Sequence, residues 1–478
     1  MKKTVCLDEN GYRKFGLRDK LAYAAGDFGC NMSFALKGTL SIFWTQFMRI
    51  DSIVFAGLLL IVQIWDAIND PLIGTLIDSD RRKYRLGKFR TYILIGSSGL
   101  LFAGALCFVP VPGAPSMAKN IIFIAGYVLW DAFYTIANVP YGSMLPLISS
   151  NAGERAQLST WRSVGSMLGN GLTMALLPVL IYDSNDNLVG ERVFIIAIVM
   201  GVIGFAAFQY MIYNTVERVD LTVSCKEDVP KFNLFKAILN FFRNRPALGA
   251  TLAPVAMFIG MYGAQTASTV TFQSYFHKAS LSGVLQIVGY LPLFFFMPFI
   301  RQIVDKWGKK EATAATSIVS VIACILMFVL PITPDGKGIA IFLACQILNG
   351  LGQGVYQCVS YSMMADAIDY NEWKYGLREE GTIYSLHSFC RKLAQGVGPS
   401  LGLVLAVWLG YVAENQANQT PEVAKNMLYL YIAMTLIGAA LRWISVAFIY
   451  NLDKKTLAQM QSELAERRSA GTAAEQED

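Results

Sequence analysis

At 478 residues, with 54% hydrophobic and 15% charged side chains, the chain is too apolar for a water-soluble fold, which would carry about 25% charged residues. Its net charge of +6 comes from basic residues gathered in short loops, above all D-S-D-R-R-K-Y-R-L-G-K-F-R at 78–90. That pattern is the positive-inside signature of a membrane protein, not a nucleic-acid footprint. The eight cysteines are scattered with no Cys-x-x-Cys pair, which argues against both a zinc site and a disulfide framework.

Residues 1–20 carry mixed charges and no short apolar core with a cleavage site, so they read as a cytoplasmic tail. Twelve stretches of spanning length follow, at 21–45, 53–77, 91–110, 118–148, 159–182, 192–214, 247–276, 281–301, 312–331, 338–365, 382–410 and 426–450. Alternation from an inside N-terminus puts the charged segments 78–90, 149–158, 215–246, 302–311 and 366–381 on the cytoplasmic side. Both termini then lie in the cytoplasm. The long polar interruption at 215–246 reads as a linker between an N-terminal six-helix bundle, 21–214, and a C-terminal one, 247–450. Residues 451–478 form a second charged tail, with a short amphipathic helix expected at 457–464. Asp78 and Gly87-Lys88 find an echo after the second span of the other half, at Asp305 to Lys310. Two halves related by a weak repeat predict an all-α membrane protein of twelve transmembrane helices, the major facilitator architecture.

Polar residues inside spans carry the functional information. The second span reads Q-I-W-D-A-I-N-D-P at 63–71, and its Asp66, Asn69 and Asp70 share one helical face. Two carboxylates there need a proton, a metal cation or a basic side chain to neutralise them. A cation site is one reading and a structural salt-bridge cluster the other. The first span adds Asp27, Asn31 and Lys37, and the fourth adds Asp131, Thr135 and Asn138. Arg162 opens the fifth, and the eleventh carries Tyr384, His387, Ser388, Arg391 and Lys392. At about 100° per residue Lys37 lies some 120° around the helix from Asn31, which turns it toward the outer surface. Asp366, Asp369 and Glu372, with Arg378 beyond them, mark the cytoplasmic end of the tenth span and are expected to form gating salt bridges. No phosphate loop, H-E-x-x-H or nucleophile elbow is present, so neither an enzyme nor a cofactor is expected.

I-W-D-A-I-N-D-P with Gly87-Lys88-Phe89-Arg90, N-V-P-Y-G at 138–142, E-R-A-Q-L at 154–158 and D-A-I-D-Y-N-E-W at 366–373 resemble the glycoside–pentoside–hexuronide:cation symporter family of the major facilitator superfamily. The motifs occur in the family's order over nearly the whole chain. The resemblance implies symport of a small-molecule sugar with Na⁺ or H⁺ by alternating access. It also implies a monomer surrounded by lipid in a bacterial cytoplasmic (inner) membrane, with no nucleic-acid partner. Carried over by position, Asp66 and Asp70 are the cation ligands, and the metal ligands if Na⁺ is used. Asn69 and Thr135 are their oxygen-donating companions, a set that favours Na⁺. Arg162 and Lys392 match sugar-site residues, and Asp27, Asn31, Asn138, His387, Ser388 and Arg391 join them as substrate candidates. Asn31 and Asn138 stand where galactoside carriers of the family have aspartates, Gly142 replaces a stacking tryptophan, and Cys30 replaces a basic residue. Cys390-Arg391-Lys392 resembles the hexuronide and sulfosugar members. The expected substrate is a glycoside or an acidic sugar, a glucuronide or sulfosugar. The alternatives are a neutral pentoside or glucoside symporter, a passive sugar facilitator and a lysolipid carrier.

Overall fold

The computed structural model describes residues 13–80, 82, 84–149, 152–218, 241–375 and 380–474. Thirteen long helices lie among them: α1 Leu17–Ala35, α2 Ser52–Ser79, α3 Lys88–Leu106, α4 Ser116–Ser143, α5 Ala152–Ile181, α6 Gly190–Asn214, α7 Arg245–Val270, α8 Ser282–Phe296, α9 Lys309–Val329, α10 Gly336–Tyr375, α11 Glu380–Trp408, α12 Pro421–Ile444 and α13 Lys454–Ala474. Among the described residues there is no strand, and Tyr182 and Leu188 pair as an isolated bridge. Eight helices there are long and apolar enough to cross a membrane by length and composition.

Local chemistry sets several helix starts. Asp51 precedes α2 and accepts from the Ile53 and Val54 amides at 3.0 and 2.9 Å, satisfying donors left open by the first turn. Asn244 does the same for α7 through Ala247, ahead of a proline in the first turn. Gly87 and Gly308 begin α3 and α9 with φ of +89° and +95°, at ψ of 154° and 156°, a conformation open essentially to glycine alone. The loop before α3 is tied by Asp80, which accepts from the Tyr84 and Tyr92 hydroxyls, each at 2.6 Å. These bonds draw its carboxyl down to about 2.

The chain divides into two compact units, one holding α1 to α6 and the other α7 to α13 except the start of α8. Each unit has the same pattern of partners. In the first, α1 packs on α5 and α6, and α3 on α4 and α6; in the second, α7 packs on α11 and α12, and α9 on α10 and α12. Small residues make the closest approaches. A Cβ on Gly165 or Gly169 of α5 would lie 2.0 or 2.5 Å from the Ala24 or Phe28 carbonyl oxygen of α1. A Cβ on Gly402 of α11 would lie 1.9 Å from that of Gly263 on α7. Helices in lipid associate through such small-residue stripes because apolar burial gives them little drive.

Four features depart from the sequence reading. α10 continues to Tyr375, so Asp366, Asp369 and Glu372 are helical rather than in a loop. α5 begins at Ala152, so E-R-A-Q-L lies in its opening turns. α1 gives way at Leu36–Thr39 to a 3-10 turn and at Phe43–Phe47 to a π turn. The tail helix α13 is also longer than the short amphipathic segment expected there.

Candidate functional site

In the first unit, α1, α2 and α4 bring one polar cluster together. Lys37 Nζ donates to Asp66 Oδ2 at 3.2 Å and to Gln63 Oε1 at 3.1 Å. Its ammonium also sits 5.2–5.8 Å from the ring centres of Tyr127, Phe34 and Trp130, within range of cation–π attraction. One turn along α2, Asn69 Nδ2 donates to Asp131 Oδ2 at 2.9 Å and to Thr135 Oγ1 at 3.4 Å. Asn69, Asp131 and Thr135 are each at most 3% exposed. Asp131 also lies within hydrogen-bonding reach of Asp66. The side chain of Asp70 lies outside the described residues.

Lys37 corrects the sequence reading, which sent it to the outer surface. The flank on which it lies, about 120° around the helix from Asn31, is covered by α2 and α4, through Asp66, Tyr127 and Trp130, and is not an outer surface. Asp131, named among the polar residues of the fourth span, is the one not assigned to the cation site. Its spacing of four from Thr135 on α4 was the available signal, since both then face α2.

A second cluster joins α1, α4 and α5. Arg162 Nε donates to Asp27 Oδ1 at 3.0 Å, and Asn31 Nδ2 donates to Asp27 Oδ2 at 3.0 Å. The guanidinium lies 4.9 Å from the Tyr141 ring centre, and Tyr141 stacks on Tyr23 with centroids 4.7 Å apart. The Cys30 thiol donates to Asn138 Oδ1 at 3.7 Å. The glycine stripe explains this meeting: Arg162 lies three and seven residues before Gly165 and Gly169, on the face of α5 pressed against α1. Gly142 leaves room beside Arg162, whose Nη1 would lie 3.9 Å from a Cβ there. Arg162 therefore does not stand as an unbalanced cation. Asp27 supplies its counter-charge, and the pair is left 37% and 8% exposed.

The second unit holds the remaining candidates. His387 is buried and its Nδ1 is 3.1 Å from Thr251 Oγ1 on α7, the environment of a packed hydrogen-bonding residue. Ser388, Arg391 and Lys392 lie half-buried on α11, and Arg391 Nε is buried without a partner. At the far end of α10, Asp366 Oδ2 accepts from Lys309 Nζ at 2.6 Å. Asp369 and Glu372 share the last turns of α10 with it, and Arg378 lies outside the described residues.

These geometries meet a consistent set of likenesses. A family model described as MFS/sugar transport protein matches residues 22–454. The isoprimeverose transporter of Lactiplantibacillus pentosus is 30% identical over 466 residues, covering 94% of this chain and 92% of that protein. The uncharacterized symporter YjmB of Bacillus subtilis is 30% identical over 461 residues, covering 95% and 96%. Among solved structures, a D-xylose-proton symporter superposes with a TM-score of 0.59 at 13% identity, over 89% of this chain and 96% of that one, a likeness of fold.

Proposed function

The chain belongs to the MFS/sugar transport protein family, and on that premise we propose that it is a proton-coupled sugar symporter, working by alternating access in a bacterial cytoplasmic membrane with both termini inside. It is an integral membrane transporter of the sugar-carrying type and not an enzyme. The observation that carries the choice of ion is the contact of Lys37 Nζ with Asp66. A sodium ion held by Asp66 needs the space that the ammonium fills. Completing a sodium shell would also take oxygens from Asp131 and Thr135, which already accept from the Asn69 amide nitrogen. A proton needs no such shell. Asp66 and Asp131, within hydrogen-bonding reach of each other, can share one. Asp70 of the same face remains a candidate member of the site.

For the sugar, the Asp27–Arg162 pair with Asn31 and Asn138 offers acceptors and donors of matched charge, suited to hydroxyl groups. We therefore favour an uncharged glycoside, isoprimeverose first because a 30% identical relative carries it. An acidic sugar is the second reading, supported by the unpartnered Nε of Arg391 beside Lys392.

The test is uptake into vesicles. Purified protein is first screened for thermal stabilisation by isoprimeverose, a methyl glucuronide and an uncharged methyl glucoside. A ligand at one hundred times its Kd should stabilise by about 2.7 kcal/mol. The best ligand is then offered to proteoliposomes with an imposed pH gradient or an imposed Na⁺ gradient. Accumulation with the pH gradient alone is expected. Accumulation that follows Na⁺ and ignores pH overturns proton coupling, and equilibration without accumulation overturns symport.

A further inference from the structure

The second unit contains a buried positive charge that the transport reading leaves unexplained. Arg442, in the last turns of α12, is 1% exposed, and its Nε and one terminal nitrogen have no hydrogen-bond partner. Among the described residues no carboxylate pairs with it. Its guanidinium lies 5.7 Å from the ring centre of Tyr356 on α10.

Three further hydroxyls are buried without a partner. They are Tyr356 Oη and, on α9, Thr313 Oγ1 and Ser317 Oγ, both side chains fully buried. Stacking of Phe328 on Tyr429 sets the register of antiparallel α9 and α12. Thirteen residues along each, at equal rise, Arg442 comes level with residue 315, between Thr313 and Ser317. Gly352, whose Cβ would meet Ser320, sets the register of α10 on α9, and four residues on it brings Tyr356 level with residue 316. Thr313, Ser317, Ser320 and Cys324 form one stripe on α9, spaced by four, three and four residues. Ser320 and Cys324 of that stripe give their hydrogens to Asn349 Oδ1. Thr313 and Ser317 therefore face the same interior as their bonded neighbours.

We propose that Arg442, Tyr356, Ser317 and Thr313 form a binding site for a small monovalent anion, chloride in the cell. A guanidinium shut away from water needs an anion, and a tyrosine face or the weak negative end of α12 compensates only part of that need. The three hydroxyls can all act as donors, and none can supply a negative charge in the neutral state. Water could satisfy the hydroxyls but would leave the charge unbalanced. A halide satisfies both with one atom. The near-complete burial of the arginine excludes a lipid phosphate, and the single-point hydroxyl donors suit a spherical ion better than a tetrahedral one. The site lies within one unit and joins α9, α10 and α12, so the ion would act as a packing element of that bundle.

The test uses the purified full-length protein without sugar, with chloride replacing gluconate at constant ionic strength. A saturable rise in thermal midpoint is expected with chloride or bromide, and none with phosphate. Arg442→Met should abolish the response while keeping the fold, because the unpaired charge is gone. Tyr356→Phe and Ser317→Ala, which keep that charge, should each raise the halide concentration for half effect by roughly tenfold, the worth of a hydrogen bond to an ion. Crystals grown in bromide should show an anomalous peak beside the Arg442 guanidinium. An equal chloride response in Arg442→Met and wild type, stabilisation by phosphate in place of halides, or a bromide structure with no peak at Arg442 overturns the proposal.

Discussion

Lys37 decides what the acidic cluster can hold. An ammonium is a sodium ion on a tether: same charge, similar reach, but permanently attached. Removing it should return Asp66 to the state in which a free cation is needed. Lys37→Ala is therefore expected to acquire sodium dependence, seen as a Na⁺-specific rise in thermal midpoint that wild type lacks and as uptake stimulated by a Na⁺ gradient. A Lys37→Ala protein as indifferent to Na⁺ as wild type would remove the tethered-cation argument. The sequence reading found the face of Asp66 and Asn69 but did not bring Lys37 to it, because helical phase gives an angle from Asn31 and not which neighbouring helices cover that flank. It listed Asp131 as polar but had no distance to join it to Asn69. The Asp27–Arg162 pair was hidden for another reason. The residues lie 135 positions apart, and only the glycine stripe between them hints at the contact.

Single helices carry contrasts that can be tested within one element. On α5, Gly165 and Gly171 differ in what a methyl group would meet. At Gly165 it would press on the backbone of α1, whereas at Gly171 nothing lies within 4 Å. Gly171→Ala should stabilise by up to about 1 kcal/mol, the gain in helix propensity. Gly165→Ala should destabilise by about 1–3 kcal/mol through overpacking. It should also weaken sugar binding, because the shift carries Arg162 away from Asp27. Thermal unfolding of the two variants with a binding curve for each checks both claims, and equal behaviour would mean that the stripe does not position Arg162. The spans themselves were largely legible, since runs of apolar residues set most helix bounds to within a few positions. α10 was cut short because hydropathy reports where lipid ends, not where the backbone hydrogen-bond ladder ends. D-A-I-D-Y-N-E-W is polar yet helical.

Across the whole chain the internal repeat is clearer in backbone conformation than in residue identity. Gly87 and Gly308 open α3 and α9 with nearly the same φ and ψ. α1 and α7 both run out through π turns, at Phe43–Phe47 and Thr271–Tyr275, each followed two residues later by a positive φ, at Arg49 and His277. The echo of Asp78 to Lys88 in Asp305 to Lys310 is thus a matter of chain geometry, with glycine kept where no other residue fits. Gly87→Ala and Gly308→Ala should each cost about 1–3 kcal/mol. Their effects should add in the double variant, because the side chains near the two sites are different, Glu217 at one and Glu311 with Lys454 at the other. A double variant no less stable than the worse single one would show that the two turns do not act independently. The aromatic cage of Lys37 has a consequence of an optical kind. Indole emission shifts with the local electric field, and the Trp130 ring lies 5.8 Å from a fixed positive charge while its Nε1 donates to Ser33. The transporter therefore carries a built-in voltmeter at the proposed coupling site, whose colour, isolated by subtracting the spectrum of Trp130→Phe, reports each change of charge beside that ring.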